Sequence, residues 1–150
     1  MLDRMKSLLQ AKDACVLATA ADAQPHCSLM SYVTDEAGDR ILMVTSRHST
    51  KFTNLVQNPR VSLLVDTRDG ASSGEGGEVQ ALTVAGRAEI EEDENEDAQA
   101  RDRLLRGHPH LRPILEDPES VVICIHIDSF LLLDGPAKAS FESNPTGTAP

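Results

Sequence analysis

Residues 45–51, Thr-Ser-Arg-His-Ser-Thr-Lys, carry the densest chemistry in the chain. They follow the apolar run Ile41-Leu-Met-Val44, which has the length and composition of a buried strand. They precede Phe52, Leu55 and Val56, which recur at helical spacing until Asn58-Pro59 stops the pattern. A second apolar strand run, 61–65, comes next. A strand end that meets a helix start gathers free backbone N–H groups and the positive end of the helix dipole. With hydroxyls, Arg47 and Lys51 added, such a junction can hold a phosphate or another dianion. Capping is the plainer explanation of Ser49 or Thr50, so the hydroxyls alone do not decide between the two.

The other reactive side chains form weaker patterns. His108 and His110 lie two apart with no nearby cysteine or acidic helix, which is a poor metal signal. His126 falls on the less apolar face of a strand and reads as a satisfied histidine. His48 lies inside the junction, where a surface histidine is the plainer reading. Gly70-Ala-Ser72-Ser-Gly74 matches G-x-S-x-G, but the glycine-rich residues 73–78 cannot start the helix that this motif needs. There is no phosphate-binding G-x-x-x-x-G-K and no G-x-G-x-x-G. Cys15, Cys27 and Cys124 are an odd set without C-x-x-C, each in an apolar run, and read as buried reduced thiols.

Composition narrows the classes. The net charge is −10, from 14 basic against 24 acidic residues, which argues against a non-specific nucleic-acid face and an anionic membrane surface. No Trp, one Tyr and three Phe leave little for base-stacking platforms. No apolar run approaches ~20 residues, and residues 1–13 have no signal-peptide core. A cytoplasmic protein is expected.

These residues need elements to position them. Leu2, Met5, Leu8 and Leu9 make a short amphipathic helix. Strands are expected over 14–20 and 26–34, joined by a turn at 22–25. In the second strand Cys27, Leu29, Ser31 and Val33 share one face, and His26, Ser28, Met30 and Tyr32 the other. A hairpin turn at 35–39 leads into 40–45. Residues 67–77 read as a flexible Gly- and Ser-rich loop. Residues 79–91 alternate as a strand, with Gly86 marking a bulge or a close backbone approach. A charged helix over 91–107 contains an Asp97–Arg101 pair at i,i+4. A last strand covers 121–127 and continues to 133 after a bend. Six strands with three helices give a mainly β fold, a small barrel decorated by helices. The short first connections argue against parallel crossovers. A single domain over 1–138 and a flexible C-terminal tail over 139–150 are expected.

The order of parts resembles the FMN-binding split-barrel family, the relatives of pyridoxamine 5′-phosphate oxidase. The likeness covers residues 14–90 well and the last strand loosely. It is carried by residues 15–46, by STKFTNLVQNPRVSLLVD (49–66) and by VQALTVAGRAEI (79–90). The resemblance implies FMN at the interface of a homodimer. The strand at Cys27, Ser28, Leu29, Met30 and Ser31 would run beside the flavin ring. Thr45, Ser46, Ser49, Thr50 and Lys51 would hold the phosphate, and Gln80 would meet the flavin edge. Leu29, Met30 and Val44 would shelve the ring, with Ser28 and Met30 facing it because Leu29 and Val33 read as barrel core.

The family's oxidases proper carry an Arg and a Lys at the two ends of the ring-side strand and an Arg beside the helix-start Lys. Here those places hold Cys27, Tyr32 and Thr50. The expectation is therefore an FMN-dependent oxidoreductase of the related type, acting on a small molecule other than pyridoxamine phosphate. The alternative is a non-catalytic module that binds or senses flavin or haem, with His48 or His126 as axial ligand. A third reading is a barrel without cofactor that serves as a dimeric interaction protein.

Overall fold

The computed structural model describes residues 1–70 and 77–146. In chain order the elements are α1 (Leu2–Ala11), β1 (Ala14–Ala21), β2 (Gln24–Ser31), β3 (Val33–Thr34), β4 (Arg40–Ser46), α2 (Thr50–Gln57), β5 (Arg60–Asp66), β6 (Gln80–Ile90), α3 (Glu94–Gly107), a 3-10 turn (Pro109–Leu111), α4 (Arg112–Leu115), β7 (Ser120–Asp134) and β8 (Ala139–Ser143). All strands pair antiparallel, in the order β2-β1-β5-β6-β7-β4-β3, with β8 added on β7.

Tyr32 explains how this sheet becomes a barrel. The expected strand over 26–34 is two strands that end at opposite ends of the sheet, with Tyr32 alone between them. The sheet must therefore curl until its ends meet there. Tyr32 is buried, its N–H donates to the Asp13 carbonyl (3.1 Å) and its hydroxyl to the Leu9 carbonyl. Nε2–H of the buried His108 donates to the Tyr32 carbonyl at 2.8 Å. Inside the curl lie Leu17, Met30, Ile41, Met43, Leu63, Leu82, Val84 and Phe130, closed at one end by Met5 and Leu9 of α1.

The bulge at Gly86 is present: the β6–β7 register shifts between Ala85 and Gly86. A Cβ at Gly86 would lie 2.5 Å from the His126 carbonyl oxygen, so the strands approach too closely for a side chain. α3 starts at Glu94, because Asp93 caps it by accepting from the Asn95 and Glu96 N–H groups. The Asp97–Arg101 pair forms at 2.7 Å.

The expected tail is corrected. Residues 139–143 form β8, and Asn144 is fully buried, donating from Nδ2 to the Ile127 carbonyl (3.0 Å) and from N to the Asp128 carbonyl (2.8 Å). The strand is short and polar, so its anchor is a distant strand and not its own composition. Residues 147–150 lie outside the described residues, as do 71–76 of the expected flexible loop and most of the G-x-S-x-G match.

Candidate functional site

The 45–51 junction forms as expected, and its hydroxyls are largely engaged. Ser49 caps α2: its Oγ accepts from the Phe52 N–H (3.2 Å) and donates to the Ser46 carbonyl (2.8 Å). Thr45, buried, lies 3.1 Å from Ser49 Oγ, and Ser46 Oγ accepts from the His48 N–H. The Arg47 N–H donates to the Glu119 carbonyl, and the Glu119 carboxylate is 3.4 Å from His48 Nε2. Capping thus accounts for Thr45, Ser46 and Ser49. The N–H groups of Thr50 and Lys51, and the side-chain cations of Arg47 and Lys51, have no protein partner among the described residues. Two free amides and two cations at a helix start are what a dianion needs. Glu119, from the turn before β7, brings an opposing charge beside the junction.

α2 ties this junction to β1 and β2. The buried Asn54 donates from Nδ2 to Thr19 Oγ1 at 3.1 Å, and Thr19 stands opposite His26. Val56, expected on the packed face, is exposed; Asn54 and Leu55 are the buried pair.

The facing of β2 is the reverse of the expectation. Leu29 is 80% exposed and Met30 only 9%, within the core. The register gives the reason: Met30 stands opposite the buried Cys15, and Leu29 opposite Val16. Val33, used to orient Leu29, belongs to β3 beyond the break at Tyr32, where the alternation restarts. The outer face of β2 therefore presents Cys27, Leu29 and Ser31, while Ser28 and Met30 turn inward.

Leu29 begins a row across six strands: Leu29, Val16, Leu64, Thr83, Leu131 and Phe141 stand side by side in register. Leu64 and Leu131 are each 37% exposed and Phe141 62%. An apolar strip of this extent is the kind of surface that another molecule covers.

Two further expectations are corrected. Val44 is no shelf: it is buried opposite the buried Val122, on a strand against which α3 and α4 pack. Gln80 is buried on the inner side, because alternation along β6 turns Ala81 and Thr83 outward. It also pairs with Asp134 at one end of β7, whereas Ser46 of the junction pairs with Ser120 at the other.

Cys15 and Cys124 are buried thiols as expected; burial pushes them up to about 12 and about 11 respectively. Cys27 is exposed instead. His108 is structural, through Tyr32, and His126 is engaged by Glu89 at 2.8 Å. No group of three or more metal-ligating side chains exists among the described residues. One contact was not foreseen: His110 Nε2 lies 3.2 Å from Ser31 Oγ, on the outer side of β2. Only the 3-10 turn after α3 brings it there, and no spacing in the sequence announces it.

A curled antiparallel sheet whose two ends are joined through one residue, with helices over it, defines the split β-barrel class. A family-wide sequence model described as pyridoxamine 5′-phosphate oxidase matches residues 1–134, and the chain belongs to that family. A pyridoxamine 5′-phosphate oxidase homolog of Schizosaccharomyces pombe is 39% identical over 70 residues, covering 41% of this chain and 37% of that protein. The match thus spans well under half of that relative's length. The solved haem binding protein from Mycobacterium smegmatis superposes with a TM-score of 0.78 at 20% identity, over 93% of this chain and 56% of that one. An FAD-binding protein from Mesorhizobium loti does so at 0.70 and 23% identity, over 88% and 91%. These two likenesses concern the fold alone. No helix among the described residues is long and apolar enough to cross a membrane.

Proposed function

We propose that the protein is an FMN-binding oxidoreductase that acts as a homodimer on a small molecule. The observation that carries this reading is the start of α2, where the Thr50 and Lys51 N–H groups and the Arg47 and Lys51 cations come together without protein partners among the described residues. The FMN phosphate would be held there. The ring would lie along the outer face of β2, beside Cys27, Leu29 and Ser31, and a second copy would cover both the ring and the exposed apolar row. Bound there, the isoalloxazine would supply hydride or single-electron transfer. The chain's own part is to orient the ring against Leu29 and to exclude water from it. Ser31 and His110 offer hydrogen bonds at the strand's end. Membership of the family supports this, and the Mesorhizobium protein shows that the same fold serves a flavin.

Pyridoxamine phosphate is disfavoured as the substrate. Cys27 and Tyr32 replace the cations of the family's oxidases proper, and Tyr32 is turned into the core. The haem binding relative from Mycobacterium supports a second reading, with the exposed His48 as axial ligand.

Titration with FMN and with riboflavin tests the phosphate assignment. A charge-assisted contact is worth ~1.5–3 kcal/mol, so Lys51→Ala should weaken FMN binding by roughly ten- to a hundred-fold. Riboflavin, without the phosphate, should bind the wild type weakly and be little changed by the substitution. Equal losses for both ligands would remove Lys51 from the phosphate site.

A further inference from the structure

One acid of this chain is built into the cationic junction at the start of α2. Pairing of Ser46 with Ser120 sets the turn that ends in Glu119 against residues 45–51. The Glu119 backbone is held on both sides: its N–H donates to Asp117 Oδ1 (2.9 Å), and its carbonyl accepts from the Arg47 N–H (2.9 Å). The next residue, Ser120, is buried. Its Oγ donates to the Asp117 carbonyl (2.7 Å), and Arg101 of α3 donates to that Oγ (2.9 Å) and to the Ser120 carbonyl (3.2 Å). The Glu119 carboxylate thus leaves a fixed backbone, and it meets His48 Nε2 at 3.4 Å.

The charges of the junction can be counted. Arg47 and Lys51 against Glu119 leave one net positive charge while His48 is neutral, and a proton on His48 raises this to two. Asp117, the other acid of the turn, is engaged by the Glu119 N–H. A phosphate monoester carries close to two negative charges at neutral pH. The junction therefore matches it only when His48 is charged. A histidine is the side chain whose charge changes near neutrality.

We propose, on the phosphate assignment made above, that Glu119 is the specificity-determining residue of this junction: it weakens the hold on a dianionic phosphate, and a proton on His48 offsets it. The side chain acts through its charge alone, because the bonds that fix the turn use its backbone and not its carboxylate.

Fluorescence titration of the full chain with FMN and with riboflavin, at about 20 mM salt, tests this. At about pH 8, Glu119→Gln should bind FMN about three- to ten-fold more tightly than the wild type. Riboflavin affinity and the melting temperature should not change. His48→Gln should match the wild type at about pH 8 and bind FMN about three- to ten-fold more weakly than it at about pH 6. Protonation of the phosphate itself is common to both chains and cancels in that ratio. Both differences should fade at about 0.5 M salt. Unchanged FMN affinity in Glu119→Gln, or a gain shared by riboflavin, would overturn the proposal. A His48→Gln chain that follows the wild type at both pH values would overturn the part given to His48. A wild type that binds FMN no better than riboflavin would instead overturn the phosphate assignment on which the proposal stands.

Discussion

Leu29 and Met30 are adjacent apolar residues with opposite surroundings, and alternation alone cannot say which of the two is inside. The partner strand decides, because Cys15 and Leu17 bury the face to which Met30 belongs. Met30→Trp should overpack the core and lower stability by ~1–3 kcal/mol. Leu29→Trp should melt normally and impair FMN binding. Thermal melts with FMN titrations check both, and the opposite pattern would return the ring to the inner face. The buried thiols make a second prediction. Burial raises Cys15 from 9.0 to about 12 and Cys124 from 9.0 to about 11. Their folded values lie above their unfolded ones, so the stability they contribute is complete below pH 9 and is lost as pH rises towards 11–12. Urea unfolding from pH 8 to pH 11 should show this loss, and Cys15→Ala should reduce its slope. A slope unchanged by that substitution would contradict the assignment to the thiol.

At the scale of elements, local signals were legible wherever the residues that shape an element lie inside it. Ser49 and Asn58-Pro59 bound α2, Asp97 and Arg101 pair within α3, and Gly86 marks its own bulge. The facing of β2, the place of Gln80 and strand β8 were not legible, because each depends on a distant partner. β8 is held through Asn144 on β7, beside a cluster in which Lys6 reaches Asp39 at 2.6 Å. Burial alone would raise the Asp39 carboxyl, but hydrogen bonds from Lys6, Thr146 and Asn144 outweigh it and hold the group low. The anchor can be tested directly. Asn144→Ala leaves the buried Ile127 carbonyl unpaired, which costs about 1–3 kcal/mol. Amide exchange should then accelerate across 139–143 before it does in β6. Exchange that accelerates evenly throughout the sheet would mean that β8 is not a separately anchored element.

At the scale of the molecule, the proposed function rests on two surfaces of the single chain: the start of α2 and the apolar row from Leu29 to Phe141. One arrangement uses both, a homodimer whose interface covers the row and holds a flavin whose phosphate is bound at α2. The family membership and the mainly β barrel class were legible from residues 14–90, whereas the strand order and the proposed cofactor site depend on surfaces that only the folded chain assembles. Native mass spectrometry of the purified protein, with FMN added, tests this arrangement most directly. The account predicts a species of twice 16.2 kDa carrying two FMN molecules. A haem adduct, a chain that takes up no FMN, or a monomer that binds FMN tightly would contradict it.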